Sequence, residues 1–163
     1  MLNSVWFDRS VVLIRVLLAG QYLASGVNWF FKFLPMPAAS DPVLASYKAP
    51  LMGAIIQSGW MMPMVKGLEV LTGLSLLFNL FVPLMLVVSF PVALMTFLLD
   101  AFILSYVWGW IIGTVPSGVA IPEILDMLYF GGAVLSMQAY LMFAYLPTHY
   151  RPMFALKGVA KHP

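Results

Sequence analysis

Cysteine is absent from this chain of 163 residues, and histidine is nearly so. Without a thiol, the chain can hold no disulfide, no thiol redox centre, no Cys-ligated zinc and no iron–sulfur cluster of its own. The two histidines, His149 and His162, both follow the last apolar segment, which excludes a histidine-built metal site among the apolar segments and disfavours a haem. We therefore expect no metal and no cofactor ligated within the chain.

Charged residues are also scarce. They make up 9% of the chain, against about 25% in soluble domains, whereas 63% of the residues are hydrophobic and the mean hydropathy is +0.98. A soluble fold of this length has too high a surface-to-volume ratio to cover so much apolar surface. The net charge of +2 includes no basic cluster, so nucleic acid is not an expected partner. The composition predicts an integral membrane protein.

Four apolar segments approach or exceed the roughly 20 residues that a helix needs to cross a bilayer. They lie at about 11–34, 64–82, 84–110 and 122–146, and prolines or turn residues separate them. A turn over 113–122 is expected to lead into the last segment, with Pro122 at the helix start. The prediction is an all-α fold, with a single transmembrane domain over 1–163 that forms a four-helix transmembrane bundle. A short interfacial or re-entrant helix is expected near 50–56.

The distribution of lysine and arginine predicts the orientation. Five basic residues lie towards the chain ends and three lie around the connection between the first two spans: Arg9, Arg15, Arg151, Lys157 and Lys161 against Lys32, Lys48 and Lys66. Four spans put both termini on one side of the membrane, so this excess favours cytoplasmic N and C termini. We interpret Arg15 as a cytoplasmic anchor. It interrupts the first apolar segment, which favours a retained span over a cleaved signal peptide.

Polar and small residues recur at helical spacing in each span, which places them on one face. The four stripes are Gln21, Ser25, Asn28 and Lys32; Lys66, Glu69 and Gly73; Ser89, Ala93, Thr96 and Asp100; and Asp126, Tyr129, Ala133, Ser136 and Tyr140. If the stripes face inward, two bases and three acids converge in the outer half of the bundle, where their pairing reduces the cost of burial. The candidate ligand-binding residues are Gln21, Asn28, Lys32, Lys66, Glu69, Asp100 and Tyr129. Glu69 and Asp100 are also the catalytic candidates.

A purely structural interpretation of these stripes stays open. Membrane helices commonly pack through small and polar faces, and Lys32 and Lys66 could extend to the headgroups. Asp126 could complement a helix N-terminus. Glu69 and Asp100 lie deeper than headgroup anchors do, which favours a functional or site-organising role for these two.

Two stretches resemble the DoxX family of small four-helix bacterial membrane proteins. Residues 15–37, RVLLAGQYLASGVNWFFKFLPMP, look like that family's first helix with its Arg, Gly and Lys, which runs into a proline-containing loop. Residues 59–100 contain GLEVLTGLSLLFNLFVPLMLVVSFPVALMTFLLD, which is similar to the family's Glu-centred second helix, Val-Pro-Leu turn and proline-containing third helix. Relatives often place a histidine where Asp100 stands. Some members are associated with membrane oxidoreductase systems, including thiosulfate oxidation coupled to quinone, and others with redox-stress complexes.

The resemblance implies a redox-associated protein of the bacterial inner membrane. No residue type in this chain carries electrons, so a bound quinone or a partner subunit must do so, with Glu69 or Asp100 exchanging protons. Membrane lipids and the subunits of a larger membrane complex are the expected partners. Two alternatives stay open. One is a non-enzymatic accessory or assembly subunit that recruits a complex through the 35–62 connection. The other is a small solute-binding protein or transporter, although the duplicated halves of many transporters are missing.

Overall fold

The computed structural model describes residues 4–34, 48–101 and 104–150. Within these ranges the regular structure is entirely helical, so the predicted all-α class is confirmed there. The helices are α1 (Ser4–Phe31), α2 (Lys48–Gln57), α3 (Met61–Phe78), α4 (Val82–Ala101), α5 (Leu104–Ile111), α6 (Ser117–Asp126) and α7 (Ala133–Tyr145). Two π-helical segments complete the fold: Met127–Gly132 joins α6 to α7, and Leu146–Tyr150 extends α7.

Two helices in the described part of the chain are long and apolar enough to cross a membrane. They are Trp6–Phe31, which is most of α1, and Met61–Phe78, which is α3. A shorter apolar helix, Val82–Leu98, forms most of α4. Only 22% of the most apolar window of α1 is buried inside the protein, and the same share of α3. Most of the apolar surface of both helices therefore faces outward.

The long helical segments pack in a closed ring. α1 packs along α3, α3 contacts α4, α4 contacts α7 and the Met127–Gly132 segment, and α7 returns to α1. The buried apolar side chains at the centre of the ring are Leu18, Ala19, Tyr22, Leu76, Val82, Leu86 and Leu141. Successive long segments run in opposite directions. The start of α1, the turn between α3 and α4, and the end of α7 consequently meet at one end, which we call the N-terminal end.

Two glycines allow α1 and α3 to approach closely. A Cβ atom at Gly26 would lie 2.9 Å from the carbonyl oxygen of Lys66, and a Cβ atom at Gly73 would lie 3.1 Å from the carbonyl oxygen of Ala19. The opposing atoms belong to the backbone of the partner helix, so the helices themselves would have to move apart. Small residues at helix contacts are typical of membrane helix pairs, where close backbone approach supplies the packing energy.

Helix ends agree with the predicted breaks at several points. α1 ends at Phe31 because Lys32 adopts a left-handed backbone conformation, with φ 50°. α3 ends at Phe78, and Asn79 (φ 58°) is its left-handed cap, a conformation that asparagine tolerates better than most residues. In the connection between α1 and α3, where a short helix is expected near 50–56, α2 spans Lys48–Gln57. α1 starts at Ser4 rather than near residue 11, because a helix can extend beyond its apolar part.

The predicted position of Pro122 at a helix start is wrong. Pro122, expected at the helix start after a turn over 113–122, instead lies inside α6. The carbonyl oxygen of Pro116 accepts hydrogen bonds from the backbone N–H groups of Val119 (3.0 Å) and Ala120 (3.1 Å), so the first helical turn forms there. Either proline suits a helix start, since both have the fixed φ of a first turn. Their local sequence alone does not decide between them.

Candidate functional site

An ion pair lies between α1 and α3. The ammonium group of Lys66 is 2.9 Å from each carboxylate oxygen of Glu69, three residues further along α3. The same ammonium group donates a hydrogen bond of 2.8 Å to the hydroxyl of Ser25 on α1. Glu69 is buried, and the side chain of Lys66 is 14% exposed. Three acceptors match the three hydrogens of an ammonium group, so the charge of Lys66 is compensated inside the protein.

Local sequence and helix packing build this pair together. Residues three apart on a helix lie on the same face, which brings Lys66 and Glu69 into contact without help from the rest of the fold. Ser25 reaches them because its neighbour Gly26 lets α1 approach the backbone of α3 at this level. One turn beyond Glu69, the hydroxyl of Thr72 is fully buried and has no hydrogen-bond partner among the described residues.

A second polar network ties three helices together. The hydroxyl of Tyr22 on α1 donates to the side-chain oxygen of Gln138 on α7 at 2.6 Å. The side-chain nitrogen of Gln138 donates to the carbonyl oxygen of Leu86 (2.7 Å) and to the hydroxyl of Ser89 (3.0 Å), both on α4. Gln138 and Ser89 are almost completely buried. The hydrogen-bonding groups of this network are satisfied by one another, so we interpret it as a structural network that holds α1, α4 and α7 together.

Gln138 is the polar residue that the sequence analysis missed. The predicted stripe of the last span passes through Ser136 and Tyr140, whereas the structure buries Gln138 and exposes Ser136. One signal was present: Gln138 is the only amide side chain in the apolar helix α7. A lone amide in such a helix costs free energy unless it finds partners, so it indicates a buried contact.

Two of the predicted site residues lie at the end of α1. The amide side chain of Asn28 accepts a hydrogen bond from the backbone N–H of Leu34 (2.6 Å) and donates to the carbonyl oxygen of the same residue (3.2 Å). Lys32 is exposed, and its backbone N–H bonds the carbonyl oxygen of Asn28 at 2.7 Å. The hydrogen bonds that the structure gives Asn28 and Lys32 therefore close the helix end.

For the other predicted residues, the structure describes either the whole residue or its backbone only. Gln21 is half-buried on α1. Asp100 is the penultimate residue of α4, Asp126 is the last residue of α6, and Tyr129 lies in the Met127–Gly132 segment. The side chains of these last three residues lie outside the described part of the structure. Of the predicted set, the structure thus brings Lys66 and Glu69 together. Among the described residues, no group of three or more His, Asp or Glu side chains could hold a metal ion.

An open cleft with a volume of about 940 Å³ lies at the N-terminal end and combines mainly apolar walls with a few polar side chains. Its walls come from the start of α1, the turn between α3 and α4, the first half of α4 and the end of α7. Arg15, interpreted from the sequence as a cytoplasmic anchor, is half-buried in this wall and donates from Nη1 to the side-chain oxygen of Asn79. Its Nε is buried without a hydrogen-bond partner among the described residues.

The Leu146–Tyr150 segment contributes to a wall of this cleft. The hydroxyl of Tyr150 donates to the carbonyl oxygen of Pro83 at 2.6 Å, which attaches the end of α7 to the start of α4. Burial, with a smaller contribution from Tyr145, raises the pKa of Tyr150 above its ordinary value, so it stays a neutral donor at physiological pH. The ring of Tyr145 meets His149 edge-on at 5.3 Å.

Comparison with protein-family models, with curated proteins and with solved structures finds no match to this chain. The resemblance to the DoxX family therefore stays a prediction that depends on residues 15–37 and 59–100. The charged side chains around Lys66 and around Arg15 are the features of the described residues from which a function can be inferred.

Proposed function

We propose that this chain is a four-span, DoxX-like protein of the bacterial inner membrane that serves a quinone-linked oxidoreductase system. The observation that carries the proposal is the Lys66–Glu69 ion pair, held between α1 and α3 beside Ser25. Ionisable residues inside membrane helices are costly and commonly mark functional sites. An ion pair kept in so apolar a chain is the strongest chemical signal that the described residues contain.

The four spans of the proposal are α1, α3, α4 with α5, and the continuous helical stretch from α6 to the end of α7. The apolar outer surfaces of α1 and α3, the small residues between them and the closed ring of contacts all support this arrangement. The excess of Lys and Arg towards the chain ends favours a cytoplasmic N-terminal end. The Lys66–Glu69 pair then lies in the outer half of the membrane.

The donor set suits a polar quinone headgroup. Lys66 and Ser25 present hydrogen-bond donors for a carbonyl oxygen, and Glu69 presents an acceptor and a proton-exchanging group. When bound, a quinone supplies the electron-accepting chemistry that the chain lacks, and the electrons come from a partner subunit. In this arrangement Lys66 orients the oxygen and Glu69 transfers a proton taken from water. Lys66 must release Ser25 to bind the headgroup, because its three hydrogens are engaged within the chain.

The test is quinone retention by the full chain, purified gently from its own membrane and measured by native mass spectrometry with lipid extraction. We expect wild-type protein to retain quinone and Glu69→Gln to lose at least about 90% of it, a tenfold change that corresponds to about 1.4 kcal/mol. The matched control is Ser89→Ala, which removes a buried hydrogen bond of the Gln138 network and leaves the ion pair intact. Equal retention in wild-type protein and Glu69→Gln would overturn the proposal, and so would quinone-free wild-type protein.

The accessory or assembly subunit is the second candidate, and one observation favours it. The ammonium group of Lys66 already has an acceptor for each of its hydrogens, as a purely structural ion pair would. Under this alternative, wild-type protein and Glu69→Gln co-purify with the same larger subunits in the same ratio, and neither carries quinone. Chemical cross-linking of native membranes followed by mass spectrometry measures that ratio directly.

A further inference from the structure

The second charged region of the interior, around Arg15, is incompletely paired. Arg15 lies 11 residues into α1, about 16 Å from the start of the helix at 1.5 Å per residue. In the described part of the chain its hydrogen-bond partner is the neutral amide of Asn79, and its Nε has none. A guanidinium group carries its charge at any physiological pH, so an apolar setting favours an anion beside it.

The acid nearest in sequence does not supply that anion. Asp8 also lines the cleft, but it lies seven residues before Arg15 on α1, about 10 Å away along the helix axis. Among the described residues no salt bridge joins Arg15 to a carboxylate. His149, exposed at the other wall, pairs its Nδ1 with the hydroxyl of Thr148 at 2.8 Å and adds no negative charge.

The walls of the cleft are mainly apolar. Three apolar side chains, each about half exposed, line the opening around Arg15. They are Val12 on α1, and Leu84 and Val87 on α4. A free inorganic anion would gain nothing from these side chains, whereas an acyl chain would bury them. The volume of about 940 Å³ is at the upper end of the range for small-molecule sites, about 300–1,000 Å³. The combination fits one charged head and an attached apolar chain.

We propose that this cleft binds an anionic phospholipid, with the phosphate on Arg15 and Asn79 and an acyl chain along Val12, Leu84 and Val87. The planar guanidinium group presents a fork of donors that matches two phosphate oxygens. The amide nitrogen of Asn79 is free to donate as well, because its oxygen is the atom that accepts from Arg15. Arg15 lies ten residues before Ser25 on α1, about 15 Å along the helix from the Lys66–Glu69 pair, and the site does not depend on quinone binding.

Native mass spectrometry of the full chain tests the proposal, with phosphatidylglycerol and phosphatidylcholine of identical acyl chains as probes in detergent. We expect one retained phosphatidylglycerol, preferred about tenfold over phosphatidylcholine. Both lipids carry a phosphate, but the quaternary ammonium group of phosphatidylcholine offsets that charge and weakens the attraction to Arg15, whereas phosphatidylglycerol keeps a net negative charge. Arg15→Gln should abolish the preference. A wild-type protein without any preference between the two lipids would overturn the proposal.

Arg9→Gln is the matched control. It removes the same charge from the same helix, but Arg9 does not line the cleft, and its guanidinium group lies 5.7 Å from the centre of the Trp6 ring. We expect it to keep the tenfold preference. Equal losses in Arg9→Gln and Arg15→Gln would show a diffuse surface attraction and overturn the site.

Two further experiments distinguish a bound lipid from a bound free anion and provide a test that does not depend on the folding of Arg15→Gln. In the first, inorganic phosphate in tenfold excess over lipid should leave the bound phosphatidylglycerol in place. Complete displacement by phosphate would assign the site to a free anion and overturn the lipid proposal.

In the second experiment, Val87→Trp keeps Arg15 and fills the apolar wall. The amount of retained lipid should fall at least tenfold, and this result does not depend on whether Arg15→Gln folds. Unchanged retention in a folded Val87→Trp protein would overturn the proposed acyl-chain position.

Discussion

The two charged regions of the interior differ in how completely their charges are paired. Lys66 has three acceptors within hydrogen-bond distance, two of them on the oppositely charged Glu69. Arg15 has the neutral Asn79, and its Nε is buried without a partner among the described residues. Both regions include α1 and border α3, so helix packing alone does not explain the difference.

Two partly buried cations of equal charge can therefore contribute very differently to the stability of the fold. A buried ion pair is strongly destabilised when one partner is removed, because the remaining charge has no compensation. Substitution of a cation that has few partners in the folded protein removes few stabilising interactions, so it should change the free energy of unfolding little. Its main effect should be on the binding of an anionic ligand. We therefore expect substitutions in the Lys66 region to change stability strongly, and substitutions in the Arg15 region to change lipid retention more than stability.

The largest effect on stability is expected from Lys66→Met. It leaves the buried carboxylate of Glu69 without its cation, which should lower the free energy of unfolding by about 3–5 kcal/mol. Denaturation in mixed micelles, followed by circular dichroism, measures the change. The double variant Lys66→Met with Glu69→Leu removes both charges and should recover to within about 1 kcal/mol of wild type. A double variant as unstable as the single one would show that burial of the unpaired charge is not the cause.

An intermediate effect is expected from Gly26→Ala, which tests the packing that brings Ser25 to Lys66. The added methyl group would lie 2.9 Å from the carbonyl oxygen of Lys66, so α1 and α3 must separate. Such overpacking should cost about 1–3 kcal/mol in the free energy of unfolding. Gly20→Ala is the matched control on the same helix, since a methyl group there meets nothing within 4 Å. It should be neutral or stabilising by up to about 1 kcal/mol, and equal losses in both variants would contradict the packing argument.

The smallest effect is expected from Arg15→Gln in lipid-free detergent. The variant loses one hydrogen bond to Asn79 but also removes an incompletely paired charge, so the free energy of unfolding should change by no more than about 1 kcal/mol. The same denaturation experiment gives the value. A loss comparable to that of Lys66→Met would mean that Arg15 is as thoroughly compensated as Lys66, and the contrast between the two regions would disappear.

Much of the fold follows from local sequence. The all-α class comes from composition and from the length of the apolar segments, and the break after α3 comes from Asn79, which readily adopts a left-handed conformation. Within the candidate site, the contact between Lys66 and Glu69 was predictable because helical spacing places residues three apart on one face. The start of α6 was not predictable, since Pro116 and Pro122 carry the same local signal.

The sequence by itself determined the helices, their apolar outer faces and the pairing of charges that are neighbours on one helix. These properties depend on short-range geometry and on hydrophobicity, which each segment carries independently. Only the tertiary structure decided that Ser25 completes the Lys66 site, that Gln138 joins Tyr22 to Ser89, and that Arg15 faces a cleft beside Asn79. Each of these contacts depends on the register between helices, which no single segment contains. Between α1 and α3, Gly26 and Gly73 allow the close backbone approach that this register requires.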